Sequence, residues 1–154
     1  MVSIRSLTAA DYEAAARIFF AAVHEGTRNL YTPEQRRAWG GEAVNLDTWR
    51  SVFLEVEGCF AEDEGGPLGF MTLDQAGYID FAFVHPDAAR KGVGAALFAE
   101  VERRARAQAI AELTTNASLA AQPFFARHGF EIVEKEEIAR NGATLTRYAM
   151  RKTL

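Results

Sequence analysis

Residues 78–97 read YIDFAFVHPDAARKGVGAAL, and the prediction of the fold starts from this stretch. The run from Tyr78 to Val84 is rich in aromatic and β-branched side chains, which is typical of a strand. Pro86 closes the run, because proline cannot donate a hydrogen bond to a sheet ladder. A basic segment with two glycines, residues 90–95, then leads into an amphipathic helix. The stretch therefore predicts a strand, a basic loop and the start of a helix in succession.

The loop has the features of a pyrophosphate-binding site. Gly92 and Gly94 allow the backbone to approach an anion closely, and the free N–H groups of the first helical turn point toward it. Arg90 and Lys91 add positive charge to that of the helix dipole. The alternative is that these glycines only pack the helix against the strand. A Walker motif and a dinucleotide fingerprint are both excluded, because neither Gly-Lys-Ser/Thr nor a third glycine follows.

The stretch resembles the acetyl-CoA signature of the GNAT superfamily of N-acetyltransferases, Gln/Arg-x-x-Gly-x-Gly/Ala. The resemblance is carried by Val84-His85-Pro86 and by the run Arg90-Lys91-Gly92-Val93-Gly94 that follows. Ala89 stands where the family has Gln or Arg, three residues before the first glycine. The neighbouring Arg90 is the residue that could supply the missing charge.

A second motif extends the resemblance to the rest of the chain. Residues 118–130, SLAAQPFFARHGF, are similar to the family pattern Asn-x-x-Ala-x-x-Leu-Tyr-x-x-x-Gly-Phe. Ala121, Gly129 and Phe130 match the pattern, whereas Ser118 replaces the Asn and Phe125 replaces the Tyr. The order of the predicted strands and helices agrees as well, so the resemblance covers nearly the whole chain.

The resemblance implies an α/β (α+β) fold in one domain, residues 1–154. We expect a mixed, mostly antiparallel sheet of six to seven strands, flanked by helices, with a splayed cleft for acetyl-CoA. The residues themselves predict an antiparallel meander of three strands over 59–61, 68–73 and 78–84. Asn141-Gly142 predicts a hairpin turn between the last two strands. Asp47 is predicted to cap a short helix.

Composition excludes several classes of protein. The chain has 154 residues, of which 49% are hydrophobic, which suits one domain with its own core. Its net charge of −4 gives no basic surface for a nucleic-acid partner. The single Cys59 excludes a disulfide framework and a zinc knuckle, and no metal is expected. No membrane-spanning run or signal peptide is found, so we expect a cytoplasmic protein without a membrane partner; a homodimer is compatible with the sequence.

The resemblance assigns a set of residues to the co-substrate, acetyl-CoA. The backbone around Phe83 and Val84 would pair with the pantetheine arm and bind the thioester oxygen, and residues 90–95 would hold the pyrophosphate. Asn116 either contacts the pantetheine or simply ends its strand, and both alternatives stay open. The residues predicted to bind acetyl-CoA are Phe83, Val84, Ala89, Arg90, Lys91, Gly92, Val93, Gly94, Ala95, Asn116, Ser118 and Phe125.

Tyr78 and Asp80 are the predicted catalytic residues, because the acceptor amine must lose a proton before it attacks. They lie two apart on one strand and therefore share a face. Tyr78 aligns with the position at which some family members carry a catalytic Glu. Asp80 is a carboxylate within an apolar run, where burial would raise its pKa toward a useful value. The alternative is that Asp80 is only a structural hydrogen-bond partner.

The acceptor side is less well defined by the sequence. Trp39 and Trp49 either line an apolar acceptor pocket or pin an irregular segment onto the sheet, and Phe19 and Phe20 are interpreted as core. The implied function is acetyl transfer from acetyl-CoA to a primary amine in a ternary complex. The alternative is a non-catalytic sensor that binds acyl-CoA, which Phe125 in place of the Tyr favours.

Overall fold

The computed structural model describes residues Met1–Leu154, which form eight strands and five helices. The strands are β1 (Ser3–Ser6), β2 (Gly58–Asp63), β3 (Gly66–Thr72), β4 (Tyr78–Ile79), β5 (Ala82–Val84), β6 (Glu112–Ser118), β7 (Glu131–Arg140) and β8 (Ala143–Thr153). The helices are α1 (Tyr12–His24), α2 (Pro33–Gly40), α3 (Leu46–Phe53), α4 (Val93–Ala107) and α5 (Gln122–Arg127). None of these helices has the length and apolar character needed to span a membrane.

The strands form two sheets that diverge from one stretch of chain. The first sheet has the order β1-β2-β3-β5 and is antiparallel throughout, and the second has the order β4-β6-β8-β7, with β4 and β6 parallel. The predicted apolar run is split into β4 and β5 by Asp80 and Phe81. The mixed α/β fold is thus confirmed, but the single sheet of six to seven strands is replaced by two sheets of four.

Side-chain hydrogen bonds explain why the two halves of this run separate. The Thr115 hydroxyl donates to the Ile79 carbonyl at 2.8 Å, which fixes β4 to β6. The Thr72 hydroxyl accepts from the Phe81 N–H at 3.0 Å, and the Thr72 N–H donates to the Phe81 carbonyl at 2.9 Å, which fixes the following residues to β3. Beyond Ile79 the chain therefore leaves β6, and a splayed cleft opens between β5 and β6.

Helices cover both faces of the first sheet. Cys59 and Met71 belong to a core that includes α4, whereas Phe60 and Phe70 belong to a second core that includes α1 and α3. This division follows from the alternation of side chains along a strand. Cys59 is fully buried, as expected for a small core residue.

Local sequence rules predicted some element ends and missed others. Asn141 and Gly142 have φ values of 48° and 86°, as the predicted hairpin turn requires. The predicted cap of α3 was wrong, because the Asn45 side chain accepts from the Thr48 N–H at 3.1 Å. Asp47 lies in the first turn instead, where its charge suits the helix dipole.

Candidate active site

The loop between β5 and α4 presents a row of free backbone donors. The six consecutive N–H groups of residues 90–95 form no hydrogen bond within the chain. Arg90 and Gly92 have φ values of 63° and 80°, and such alternation of backbone conformation turns neighbouring N–H groups toward a common concavity. The row continues into the first turn of α4, where the helix dipole favours negative charge. The loop is therefore built to bind an anion.

The two glycines of the loop have different roles. A Cβ atom at Gly92 would meet nothing within 4 Å, so glycine is needed there for its positive φ rather than for space. A Cβ atom at Gly94 would lie 3.1 Å from the Phe124 ring, so Gly94 allows α4 to approach α5 closely. Helix packing therefore explains why residue 94 is a glycine, but it does not explain why residue 92 is one.

Strand β5 offers backbone groups to the cleft along its free edge. Phe81 and His85 make backbone hydrogen bonds to β3, which is the only strand paired with β5. Because backbone groups alternate in direction along an antiparallel strand, those of Ala82 and Val84 point into the cleft. Of the two predicted residues, Val84 therefore offers its backbone, and the backbone of Phe83 is directed toward β3.

A cavity of about 490 Å³, which we call the large cavity, extends from the loop of residues 90–95 along β5. Lys91 and Asn116 are not among its lining residues, so their assignment to acetyl-CoA stays a prediction that this cavity does not support. The predicted residues that line it are Phe83, Val84, Ala89, Arg90, Gly92, Val93, Gly94, Ala95, Ser118 and Phe125.

A second cavity of about 190 Å³, which we call the small cavity, lies on the other side of the splayed cleft. It is bordered by aromatic side chains and by the charged residues Asp80, Arg140 and Arg147. Six residues line both cavities, and we call them the junction. They are Trp39, Ala82, Phe83, Ser118, Ala121 and Phe125. The arrangement joins an anion-binding loop to a small, partly aromatic chamber.

Asp80 lies at the mouth of the small cavity with its carboxylate unpaired. The side chain is exposed and takes part in no hydrogen bond or ion pair within the chain, so a purely structural role has no support. Loss of hydration against the cavity wall raises the pKa of Asp80, and Asp74 raises it further, whereas Arg140 lowers it. These are the surroundings of a carboxylate that can take up a proton.

Tyr78 faces the same cavity, as its spacing from Asp80 predicts. Its hydroxyl accepts a hydrogen bond from the Asn116 side-chain amide at 3.1 Å, and Asn116 does not end its strand, because β6 continues to Ser118. Partial burial raises the pKa of Tyr78, and the hydroxyl therefore stays protonated near neutral pH. A protonated hydroxyl can relay a proton but cannot act alone as the base, which leaves Asp80 as the stronger candidate.

Of the two tryptophans, one lines the cavities and the other packs in the core. Trp39 lines both cavities, whereas Trp49 is buried in the core with its ring 5.7 Å from that of Phe70. Phe19 belongs to the core and to the cavity wall, since its ring lies 5.0 Å from that of Trp49 and it also lines the small cavity.

Sequence reasoning missed three residues of the site. Arg140 and Arg147 reach the small cavity from the β7–β8 hairpin, which only tertiary packing brings near β4. The buried Tyr31 donates from its hydroxyl to the Thr146 carbonyl and accepts from the Leu119 N–H, both at 2.9 Å. These bonds fix the segment between α1 and α2 beside the junction. The only sequence signal for any of the three is the position of Arg140 next to the hairpin turn.

Comparison with known proteins identifies the family of the chain. Residues 27–152 match the family model described as an acetyltransferase (GNAT) domain. YafP, an uncharacterized N-acetyltransferase of Escherichia coli K12, is 31% identical over 150 residues, which cover 97% of this chain and 95% of that protein. The chain therefore belongs to the GNAT acetyltransferase family. This confirms the resemblance and the predicted enzyme class, an acyltransferase.

Solved structures agree with this assignment. A GCN5-related N-acetyltransferase from Rhodopseudomonas palustris superposes with a TM-score of 0.91 at 30% identity, over 99% of this chain and 95% of the other. The PaiA N-acetyltransferase from Thermoplasma acidophilum, solved in complex with coenzyme A, has a TM-score of 0.77 at 17% identity, over 100% of this chain and 99% of the other. At this level of identity, the similarity to the PaiA acetyltransferase shows a shared fold.

Proposed function

We propose that the chain transfers an acetyl group from acetyl-CoA to a primary amine by direct attack in a ternary complex in the cytoplasm. The observation that carries this proposal is the meeting of the two cavities. The N–H groups of residues 90–95 are free, all of these residues except Lys91 line one cavity, and the unpaired Asp80 lines the other. The bound coenzyme A in the PaiA acetyltransferase structure supports the choice of co-substrate.

Acetyl-CoA supplies the activated acetyl group, and this chain provides the means to hold it. The N–H groups of residues 90–95 would bind the pyrophosphate, with added charge from Arg90. The free edge of Ala82 and Val84 would pair with the pantetheine arm. A backbone N–H of that edge would also stabilise negative charge as it develops on the thioester oxygen. Ser118 lies at the junction, where its hydroxyl suits a hydrogen bond to the pantetheine.

On the acceptor side, an ammonium has no lone pair and must lose a proton before it attacks. Asp80 would take this proton, directly or through water, because its raised pKa makes it a better acceptor than an ordinary carboxylate. Tyr78, oriented by Asn116, would position the amine or relay the proton. The small cavity holds the amine against the junction, which supplies the proximity that the reaction needs.

Leaving-group protonation should not depend on position 125. Phe125 is 1% exposed and packs with its ring 4.9 Å from that of Phe130, so it has a packing role at the junction. We expect Phe125→Leu to destabilise the fold by about 1 kcal/mol and to weaken CoA binding modestly, because a smaller side chain loosens the wall. The pH dependence of turnover, measured by thiol release, should stay unchanged. Loss of an ionisation from that profile would contradict the assignment.

No acetyl-enzyme should form, because the chain has no accessible thiol. Cys59 is fully buried, and burial raises the pKa of its thiol to about 11. Intact-mass spectrometry after mixing with acetyl-CoA alone should therefore show no stable adduct of acetyl mass that is later passed to an amine. An adduct that forms and decays as fast as turnover would overturn direct transfer.

Thiol release from acetyl-CoA with a panel of amines tests the proposed function. Release that depends on an amine, together with acetylated product detected by mass spectrometry, is the expected result. CoA binding by calorimetry without release for any amine would favour the sensor instead. Absence of both binding and release would reject the proposed use of the large cavity.

A further inference from the structure

Two opposite charges face the small cavity without pairing to each other. The carboxylate of Asp80 and the guanidinium of Arg140 both line it, and neither takes part in a hydrogen bond or ion pair within the chain. Both border one cavity of about 190 Å³, so a molecule bound there lies near both groups. The cavity therefore keeps a negative and a positive group apart, with space between them.

A second arginine of the hairpin, Arg147 on β8, also borders the cavity. Its Nε donates to Glu136 at 2.8 Å, and this ion pair offsets its charge, so Arg140 is the arginine of the cavity that has no partner. The hairpin side of the chamber thus favours an anion, and the β4 side favours a cation.

The rest of the wall is mostly apolar, with Thr115, Asn116, Ser118 and Thr146 as its uncharged polar members. The volume of about 190 Å³ suits a small molecule rather than a folded protein surface. The apolar and aromatic residues of the wall include Phe19, Trp39, Phe81, Ile138 and Leu145.

We propose that the acceptor is a small amine that also bears a carboxylate, that is, an α-amino acid or a close analogue with an apolar side chain. Its ammonium would lie beside Asp80, its carboxylate beside Arg140 and its side chain along the aromatic wall. A polyamine would instead place a second cation against Arg140, which disfavours it by like-charge repulsion. This inference rests on the proposed function and names the substrate class for the same site.

The test compares amines that differ only in the carboxylate. Proteinogenic amino acids, their carboxamides and their decarboxylated amines are assayed with acetyl-CoA by thiol release, with spermidine as the polyamine. We expect at least one apolar amino acid to exceed its amide and its decarboxylated amine by ~10-fold or more in kcat/KM. For the pair L-phenylalanine and 2-phenylethylamine, for example, the difference would report the carboxylate alone.

Two variants test which residue binds the carboxylate of the substrate. Arg140→Gln should raise KM for the amino acid ~10-fold while KM for the decarboxylated amine stays the same. Arg151→Gln is the matched control, because Arg151 is an exposed arginine of the same hairpin that pairs with Glu131 outside the cavity. It should leave both substrates unchanged.

The outcomes separate the inference from the function on which it rests. Preference of the wild type for decarboxylated amines or spermidine, or an equal effect of Arg140→Gln on both members of a pair, would overturn the amino-acid assignment and leave acetyl transfer intact. CoA binding without turnover of any of these amines would overturn both.

Discussion

Asp80→Asn should lower kcat/KM by ~10²–10⁴-fold while leaving CoA affinity nearly unchanged, because the substitution keeps the shape of the side chain and removes the base. Asp80 lines the small cavity and is not among the residues that line the large one, so the effect should fall on the amine step. Steady-state thiol release and calorimetry with CoA measure the two quantities separately.

The pH profile gives a second readout of the same variant. Since the pKa of Asp80 is raised, wild-type turnover should fall as the pH drops through this raised value, at a higher pH than for an ordinary Asp. In Asp80→Asn this acidic limb should disappear. A folded Asp80→Asn that turns over like the wild type would remove Asp80 from the mechanism, and loss of activity in Tyr78→Phe instead would move the base or relay to Tyr78.

Stability provides the control against unfolding. A carboxylate whose pKa is raised in the folded state costs stability once the pH exceeds its pKa in the unfolded chain, so that cost is present at pH 7. Asp80→Asn removes it and should melt at the same temperature as the wild type or slightly higher. Asp47→Asn, in the exposed first turn of α3, is the matched loss of charge and should leave turnover unchanged.

Gly92→Glu should weaken CoA binding by ~10-fold or more, because the new carboxylate lies at the mouth of the anion-binding loop. Gly92 has a φ of 80°, so a side chain also strains the backbone by ~1–2 kcal/mol. No atom lies within 4 Å of the added Cβ, so the variant has room to fold. Calorimetry with CoA measures the loss.

Gly92→Asn separates charge from strain. Asparagine tolerates the left-handed conformation and carries no charge, so this variant should bind CoA much more tightly than Gly92→Glu. Unchanged affinity in a folded Gly92→Glu would remove the loop from the binding site. Equal losses in both variants would mean that backbone conformation, rather than charge at the loop, sets the affinity.

The loop and the hairpin were predictable because local rules determine them. Gly92, Asn141 and Gly142 are residue types that adopt positive φ easily, and they do so in the loop before α4 and in the turn between β7 and β8. The assignment of the α3 cap to Asp47 rather than Asn45 shows the usual limit of such rules, since both residues are good caps two positions apart.

The split of the apolar run and the charges of the small cavity were not predictable in the same way. Residues 78–84 look like one strand, but its first part pairs with β6 and its last part with β3, and bonds to Thr115 and Thr72 hold the two parts in different sheets. Arg140 and Arg147 alternate with ordinary surface residues of a hairpin, and their role depends on how that hairpin packs beside β4. Similarly, nothing local distinguishes Trp39 from Trp49.

A crystal structure of the protein with acetyl-CoA tests most directly whether the two cavities form one acetyltransferase site. We predict the pyrophosphate against the N–H groups of residues 90–95, the pantetheine along the free edge of Ala82 and Val84, and the thioester at the junction, open to the cavity that Asp80 faces. Acetyl-CoA bound outside the splay, or with its thioester closed off from the small cavity, would contradict this arrangement.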